Sequence, residues 1–368
     1  MVNTSDTQSI DGVLIVGGGY AGVHAAAAAR RAGHEVTIVD PTGRHTFVTR
    51  LAAVAGGTAP SEDAATSLAE FGVEVIVGSM TGATDGTVTL DDGRTLSADA
   101  VVITAGAVPI SPPIDGLDTS FALRTEADAL ALRDAIASAE ALVVIGGGAT
   151  GVQLAGAAAH TRPDLSITLI DEVDELLAGM GSATSRDAAR ILRQRGVELV
   201  LGDGVDSIDD SGVNVAGRHI DGLAVWAAGF AARADHFDIP CDDAGRILVD
   251  DDLRITGWTR TFAAGDMALH CDGAGNVLPM SAQIAVQAGD AAGANAARLI
   301  DGDTPDAARL SHRGWVLDLG GCRGLAEVGP ISLTAPFLDL IPPLLHWAID
   351  VKHLIETRGA AGLSDRPG

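Results

Sequence analysis

Cysteine is scarce. Cys241, Cys271 and Cys322 stand far apart in a chain of 368 residues, with no CxxC or CxxxxC pair. That spacing argues against a zinc site, a disulfide framework and a dithiol redox centre, so no metal site is expected and a reducing compartment is. Lysine occurs once, at Lys352, and the formal net charge is −25. Such a surface repels phosphate backbones, so no nucleic-acid partner is expected. Seven Phe, four Trp and one Tyr leave little on which bases could stack. No run of about 18 apolar residues offers a simple transmembrane helix. The opening MVNTSDTQSIDG lacks the basic and apolar regions of a signal peptide. A cytoplasmic location is expected.

Glycine, by contrast, is abundant, with 46 residues. It has no three-residue period, which excludes collagen, and a 47% hydrophobic content excludes a disordered polymer. The glycines cluster instead, as GGG at 17–19 and again at 146–148. Each cluster follows a short apolar run, VLIV at 13–16 and LVVI at 142–145. Each opens an alanine-rich helical stretch that leads to a second apolar run, EVTIVD at 35–40 or SITLID at 166–171. This is strand, tight turn, helix, strand: a βαβ unit with buried parallel strands, present twice. After each unit come further strands and a hairpin signal, DDG at 91–93 and DDSG at 209–212. Helices are expected over 123–138 and 281–300.

The two turns read Gly17-x-Gly19-x-x-Gly22 and Gly146-x-Gly148-x-x-Gly151. In such a fingerprint the first glycine allows the turn, the second lets backbone approach a pyrophosphate, and the third lets helix pack on strand. The helix N-terminus presents free N–H groups and a positive dipole end to the phosphates. Asp40 and Asp171 close the following strands, near the spacing at which a carboxylate reaches ribose hydroxyls. A carboxylate at Asp171 would repel a 2′-phosphate, which favours NADH over NADPH. Glu172 beside it is read as a solvated surface group.

Two fused nucleotide units, followed by Ala264-Gly265-Asp266, resemble the two-dinucleotide-binding-domain flavoproteins. The resemblance implies an α/β fold with two Rossmann-like domains, one for FAD and one for NAD, the second inserted in the first. It divides the chain into an FAD domain at 1–117 and 236–310, an NAD(H) domain at 118–235 and a C-terminal extension at 311–368. It implies that Thr104-Ala105-Gly106 turns beside the flavin and that Asp266 binds its ribityl chain, the alternative for Asp266 being a helix N-cap. Tyr20, Ala21 and Met80 join the FAD-lining positions, and Thr150 and Gly229 the NAD-lining ones.

Within that group the chain most resembles the type II NADH:quinone oxidoreductases. Residues 146–156, 124–136, 225–229, 247–254 and SAQIAVQ at 281–287 carry the likeness, the last fitting an AQxAxQ pattern as Ala282, Gln283, Ala285 and Gln287. The resemblance implies hydride transfer from NADH to FAD and two-electron transfer to a quinone-type acceptor, with Gln283 and Gln287 donating hydrogen bonds to a quinone carbonyl. On spacing alone these glutamines are an ordinary polar helix face. It also implies amphipathic membrane-surface helices at 336–355, with Leu344, Leu345, Trp347, Ile349 and Leu354 facing the cytoplasmic leaflet. Packing on the protein or on a second copy in a homodimer is the alternative. Two departures stand out. Gln153 replaces the usual glutamate of the nicotinamide site and cannot titrate. The family's H-x-F-x-P-x-x-Y-Q reads His45 to Ala53 here without its proline, tyrosine and glutamine. A soluble flavin reductase, or a flavoprotein of the apoptosis-inducing-factor kind with weak turnover, therefore stays open. His45 and His270 flank the candidate flavin segments and are read as structural.

Overall fold

The computed structural model describes residues 7–328, 331–333 and 341–358. The strand Thr7–Val16 runs through the middle of the first sheet. Val13, Leu14 and Ile15 are apolar on both faces and wholly buried, as in a parallel strand covered on both sides. It pairs in parallel with Val36–Asp40 on one side and with Thr95–Ile103 on the other, and Glu74–Val77 extends the first edge. The hairpin Met80–Thr84 and Thr87–Leu90 completes the second edge in antiparallel fashion. Thr261–Ala263 then joins Thr95–Ile103 in parallel. That late strand brings the chain back to its first sheet, so everything nucleated around the second glycine cluster is an insertion.

The inserted sheet is all parallel, in the order Glu198–Leu201, Ser166–Asp171, Ala141–Ile145, Leu223–Trp226. An antiparallel layer of Val205–Asp209, Gly212–Val215 and Arg218–Asp221 covers one face, packing Ile208, Val213 and Ile220 on Val143 and Ile170. The α/β class and the two Rossmann-like units expected from sequence are present.

The helices are α1 (Tyr20–Arg31), α2 (Leu51–Ala55), α3 (Glu126–Ser138), α4 (Ala149–Thr161), α5 (Ser182–Gln194), α6 (Ala282–Ile300) and α7 (Ile341–Arg358). Thr125 and Asp128 form a capping box that fixes the start of α3 where the chain enters the insertion. Helices α1 and α6 touch backbone to backbone. A Cβ on Gly289 would lie 2.2 Å from Ala21 O, and one on Gly293 2.1 Å from Ala25 O. Two glycines one turn apart thus set the crossing and bring the start of α6 to the first nucleotide turn.

A meander of Gly314–Asp318, Gly324–Val328 and Ile331–Leu333 follows. Arg195 ties it to the insertion by donating to Gly156 O (2.8 Å), Gly320 O (2.6 Å) and Leu319 O. Helix α7 lies against α1. Leu354 does not face a membrane surface: it is 4% exposed and packs into the core beneath α1. Ile349 is exposed. Leu344, Leu345 and Trp347 lie outside the residues whose side chains are described. Among the described residues no helix is long and apolar enough to cross a membrane.

Candidate functional site

The residues expected around FAD converge on one cleft of about 370 Å³. Gly17, Gly19, Tyr20, Ala21, Asp40, Met80, Thr104, Ala105, Gly106, Gly265 and Asp266 all line it, joined by Ala282 and Ala285 of α6. Gly22 stands behind the wall, where a Cβ would come 1.9 Å from Gly17 O. Thr104 closes the turn: its hydroxyl donates to Val16 O and Gly17 O, each at 2.8 Å. Asp40 has a structural task that its spacing did not reveal. It accepts from Gly18 N (2.9 Å), Thr42 N (2.8 Å), Thr42 Oγ1 (2.7 Å) and Gly43 N (3.1 Å), bracing both loops of the cleft.

The glycines supply a direct test of whether a dinucleotide fits. Gly17 is held by protein, since a Cβ there would meet Thr104 O at 2.5 Å, and its φ is +99°. Gly19 is not. It has φ −72° and ψ −170°, extended backbone open to any residue, and its Cβ would meet nothing within 4 Å. The protein itself leaves that space free, room for a pyrophosphate to approach, and the start of α1 behind it offers free N–H groups to a phosphate.

The insertion repeats this geometry. A Cβ on Gly146 would meet the Ala227 carbonyl at 2.6 Å, and one on Gly151 would meet Gly146 O at 1.9 Å. Gly148, at φ −73° and ψ −175°, again faces open space. Asp171 accepts from Gly147 N, and from Val173 N at 2.8 Å, as Asp40 does in the first unit. Thr150 and Gln153 are half-buried on α4. Gly229, at φ +99°, lies at the crossover, where its carbonyl accepts from Ile110 N at 3.2 Å.

Gly265 and Asp266 also line a second, larger cavity of about 540 Å³. Its other walls come from Ala178–Met180 of the insertion, from His270 and the 277–280 segment, from Ile284 of α6, and from His312 and Trp315 of the C-terminal extension. Burial pushes the Asp266 carboxyl above its ordinary range, against the pull of Arg124 at 3.7 Å. Arg124 lines the FAD cleft and stacks over Phe230, yet no sequence signal marked it.

Gln283 and Gln287 line neither cavity. Gln283 donates to Gly314 O (2.6 Å) and accepts from Arg313 N (3.0 Å). Gln287 donates to Gln283 O and Ser311 O, each at 3.0 Å, and accepts from Ser311 N (3.2 Å). Expected as donors to a quinone carbonyl, both amides bond to protein in this structure. Both donor hydrogens of Gln287 are in use, and the pair straps residues 311–314, hence Trp315, to α6.

Below the first turn lies a chain of three buried histidines on three separate segments. His45 Nδ1 is 2.8 Å from Gly18 O, His45 Nε2 is 3.1 Å from His353 Nε2, and His353 Nδ1 is 2.9 Å from His24 Nε2. His24 Nδ1 ends the chain 3.3 Å from Asp290. A carbonyl only accepts, so His45 carries its proton on Nδ1 and accepts at Nε2. His353 must then donate from Nε2 and accept at Nδ1 from His24. The arrangement links α7 to the FAD turn through hydrogen bonds that run in one direction, from His24 through His353 and His45 to Gly18 O.

Residues 11–289, about three quarters of the chain, match the pattern of pyridine nucleotide-disulphide oxidoreductases. The chain belongs to that family. It is similar to the type II NADH:quinone oxidoreductase NdhA of Mycobacterium tuberculosis, at 28% identity over 96% of this chain and 86% of that one. It is also similar to Ndh of the same organism, at 26% identity over 91% and 83%. Among solved structures, NDH2 from Plasmodium falciparum in complex with NADH superposes with a TM-score of 0.79 at 16% identity, covering 96% of both chains. That likeness establishes the fold. This oxidoreductase carries two dinucleotide cradles, and Gly265 and Asp266 are shared between the FAD cleft and the second cavity.

Proposed function

We propose that this chain oxidises NADH and passes two electrons through bound FAD to a quinone-type acceptor. The observation that carries the reading is the repeated cradle, each with a middle glycine facing open space, the FAD cleft sharing Gly265 and Asp266 with a largely apolar second cavity. FAD, when bound, supplies the two-electron relay between donor and acceptor. The protein supplies position and field. Gly19 and the start of α1 would hold the flavin pyrophosphate, Asp40 the adenosine ribose, and Asp266 the ribityl chain. Arg124 would counter part of the effect of burial on Asp266. Gly148, Thr150 and the start of α4 would hold NADH, with Asp171 turned to its ribose and Gln153 on the nicotinamide side. Gln283 and Gln287 would act by positioning, since they fix the strap that carries His312 and Trp315 to the acceptor cavity. Exposed Ile349 and Ile355 on α7 support a peripheral contact with the cytoplasmic face of a membrane. Vesicle flotation tests that contact, and a shift to dimer mass without vesicles would point to a second copy instead.

Protein loaded with FAD should be yellow, absorb near ~450 nm and be bleached by NADH, and should then reduce a water-soluble quinone. A chain that cannot be loaded with FAD, or that NADH cannot bleach, would sink the reading. NADH is expected to surpass NADPH in kcat/KM by at least about tenfold, because Asp171 faces the 2′-position. Equal rates would place that carboxylate elsewhere. Gln283→Leu removes two hydrogen bonds to the strap, each worth about 1 kcal/mol. It should raise the quinone KM roughly fivefold and leave NADH bleaching unchanged. Slower bleaching would instead put Gln283 on the donor side.

A further inference from the structure

We propose that His270 is the hydrogen-bond donor that positions the carbonyl oxygen of a planar quinone head in the cavity between Met180, Trp315 and Asp266. The assignment rests on the reading of the acceptor as a quinone.

His270 is 5% exposed and lines that cavity, yet neither of its ring nitrogens has a hydrogen-bond partner. Burial holds its pKa at about 4, against a smaller opposing pull from the Gly265 backbone, so the ring is neutral near pH 7. The Gly265 backbone lies near enough to act on the ring but not at hydrogen-bond geometry, so the ring's N–H and lone pair remain open to a ligand. A buried polar group left unmatched is costly, and native interiors rarely tolerate one without a ligand or other cause. Backbone contacts hold the residue in place. Its carbonyl accepts from Leu278 N at 2.8 Å, Leu269 N donates to Ile247 O at 2.9 Å, and Asp272 closes the 272–276 turn.

The surrounding walls select the ligand class. Met180, Met280, Ile284 and Trp315 present apolar and aromatic surface suited to a flat ring. About 540 Å³ accommodates a ring head with part of an apolar tail. Gly265 and Asp266 line this cavity and the FAD cleft alike, so an occupant sits against the flavin site. The neutral imidazole orients and polarises the carbonyl and keeps its own proton; the protons that complete the hydroquinone come from solvent.

The test uses FAD-loaded full-length protein and menadione, with binding read by quenching of tryptophan fluorescence. His270→Leu is expected to weaken menadione binding about tenfold, and His270→Gln, which keeps a donor, to recover most of it. Flavin bleaching by NADH should not change. The melting temperature of quinone-free His270→Leu should equal or exceed that of the wild type, because an unmatched dipole has been removed. A structural histidine would show the reverse, a lower melting temperature with unchanged menadione affinity, and would overturn the assignment while leaving the quinone reading in place. Wild-type holoenzyme that neither binds nor reduces menadione would overturn both.

Discussion

Gly148→Val is expected to fold, load FAD and melt as the wild type does, and to bind NADH at least about 100-fold more weakly, a loss of about 3 kcal/mol. The backbone there is extended, at φ −73° and ψ −175°, and nothing in the protein lies within 4 Å of a Cβ. Valine is therefore free of strain in the unliganded chain, and its methyl groups occupy the space over the start of α4 where a pyrophosphate would approach. Gly151→Ala makes the contrast. Its Cβ would lie 1.9 Å from Gly146 O, so helix and turn must separate and stability should fall together with binding. The first unit behaves in the same way: Gly19→Val should yield folded but colourless protein. Calorimetric titration with NADH, the flavin-to-protein absorbance ratio and melting curves read all three variants. Wild-type NADH affinity in Gly148→Val would mean that the pyrophosphate does not cross there, and the second cradle would lose its assignment.

Acid should destabilise the protein steeply between about pH 6.5 and 4. Burial lowers the pKa of His45 and of His270 to about 4, and that of His353 well below its ordinary value. In the unfolded chain each titrates near 6.5. Between those limits the unfolded state binds more protons, so stability is full above pH 6.5 and falls as pH drops towards the folded values. Each histidine contributes a slope of about 1.4 kcal/mol per pH unit, so the three together approach about 4 in mid-window. The surroundings of the chain leave little room for added charge. Arg358 and His24 disfavour a cation on His45 and His353, while Asp40 favours one on His45 only as the smallest contribution. Beyond the chain, Asp290 faces His24 and Arg31, and the Tyr20 ring packs on both His45 and His353. His353→Leu should flatten the slope by one histidine and cost about 3 kcal/mol at pH 7.5, since two buried partners lose their bonds. Urea unfolding at pH 7.5, 6 and 5 measures both effects. Equal stability at the three values would contradict burial of His45, His270 and His353 as neutral rings.

The readable part of this protein was its repetition. VLIV and LVVI, the glycine triplets behind them and the acids 23 and 25 residues after Gly17 and Gly146 are local patterns in which neighbours along the chain remain neighbours in the fold. The capped helix at 126–138 and the hairpin about 91–93 are local in the same sense. Helix α5 and the strand Arg218–Asp221 went unread, although α5 spaces its apolar residues at helical intervals.

The side chains that refine the site were hidden for a different reason. Asp40 and Asp171 were legible as ribose acids, but their bonds to Gly18 and Gly147 depend on how strand end and turn face each other in space. Gln283 and Gln287 were legible as a helix face, and only the docked 311–314 strap shows what their amides hold. His24, His45 and His353 come from segments up to 329 residues apart, and nothing in the spacing of any one of them points to the others. His270 was legible only by its place after Asp266, and its unmatched ring nitrogens were not. The amino-acid order by itself determined the duplicated βαβ units and their two nucleotide turns, because periodicity and glycine sterics act over a few residues. Tertiary structure alone decided which polar groups are satisfied by protein and which are left for a ligand, because that balance is set by burial and by partners distant in sequence.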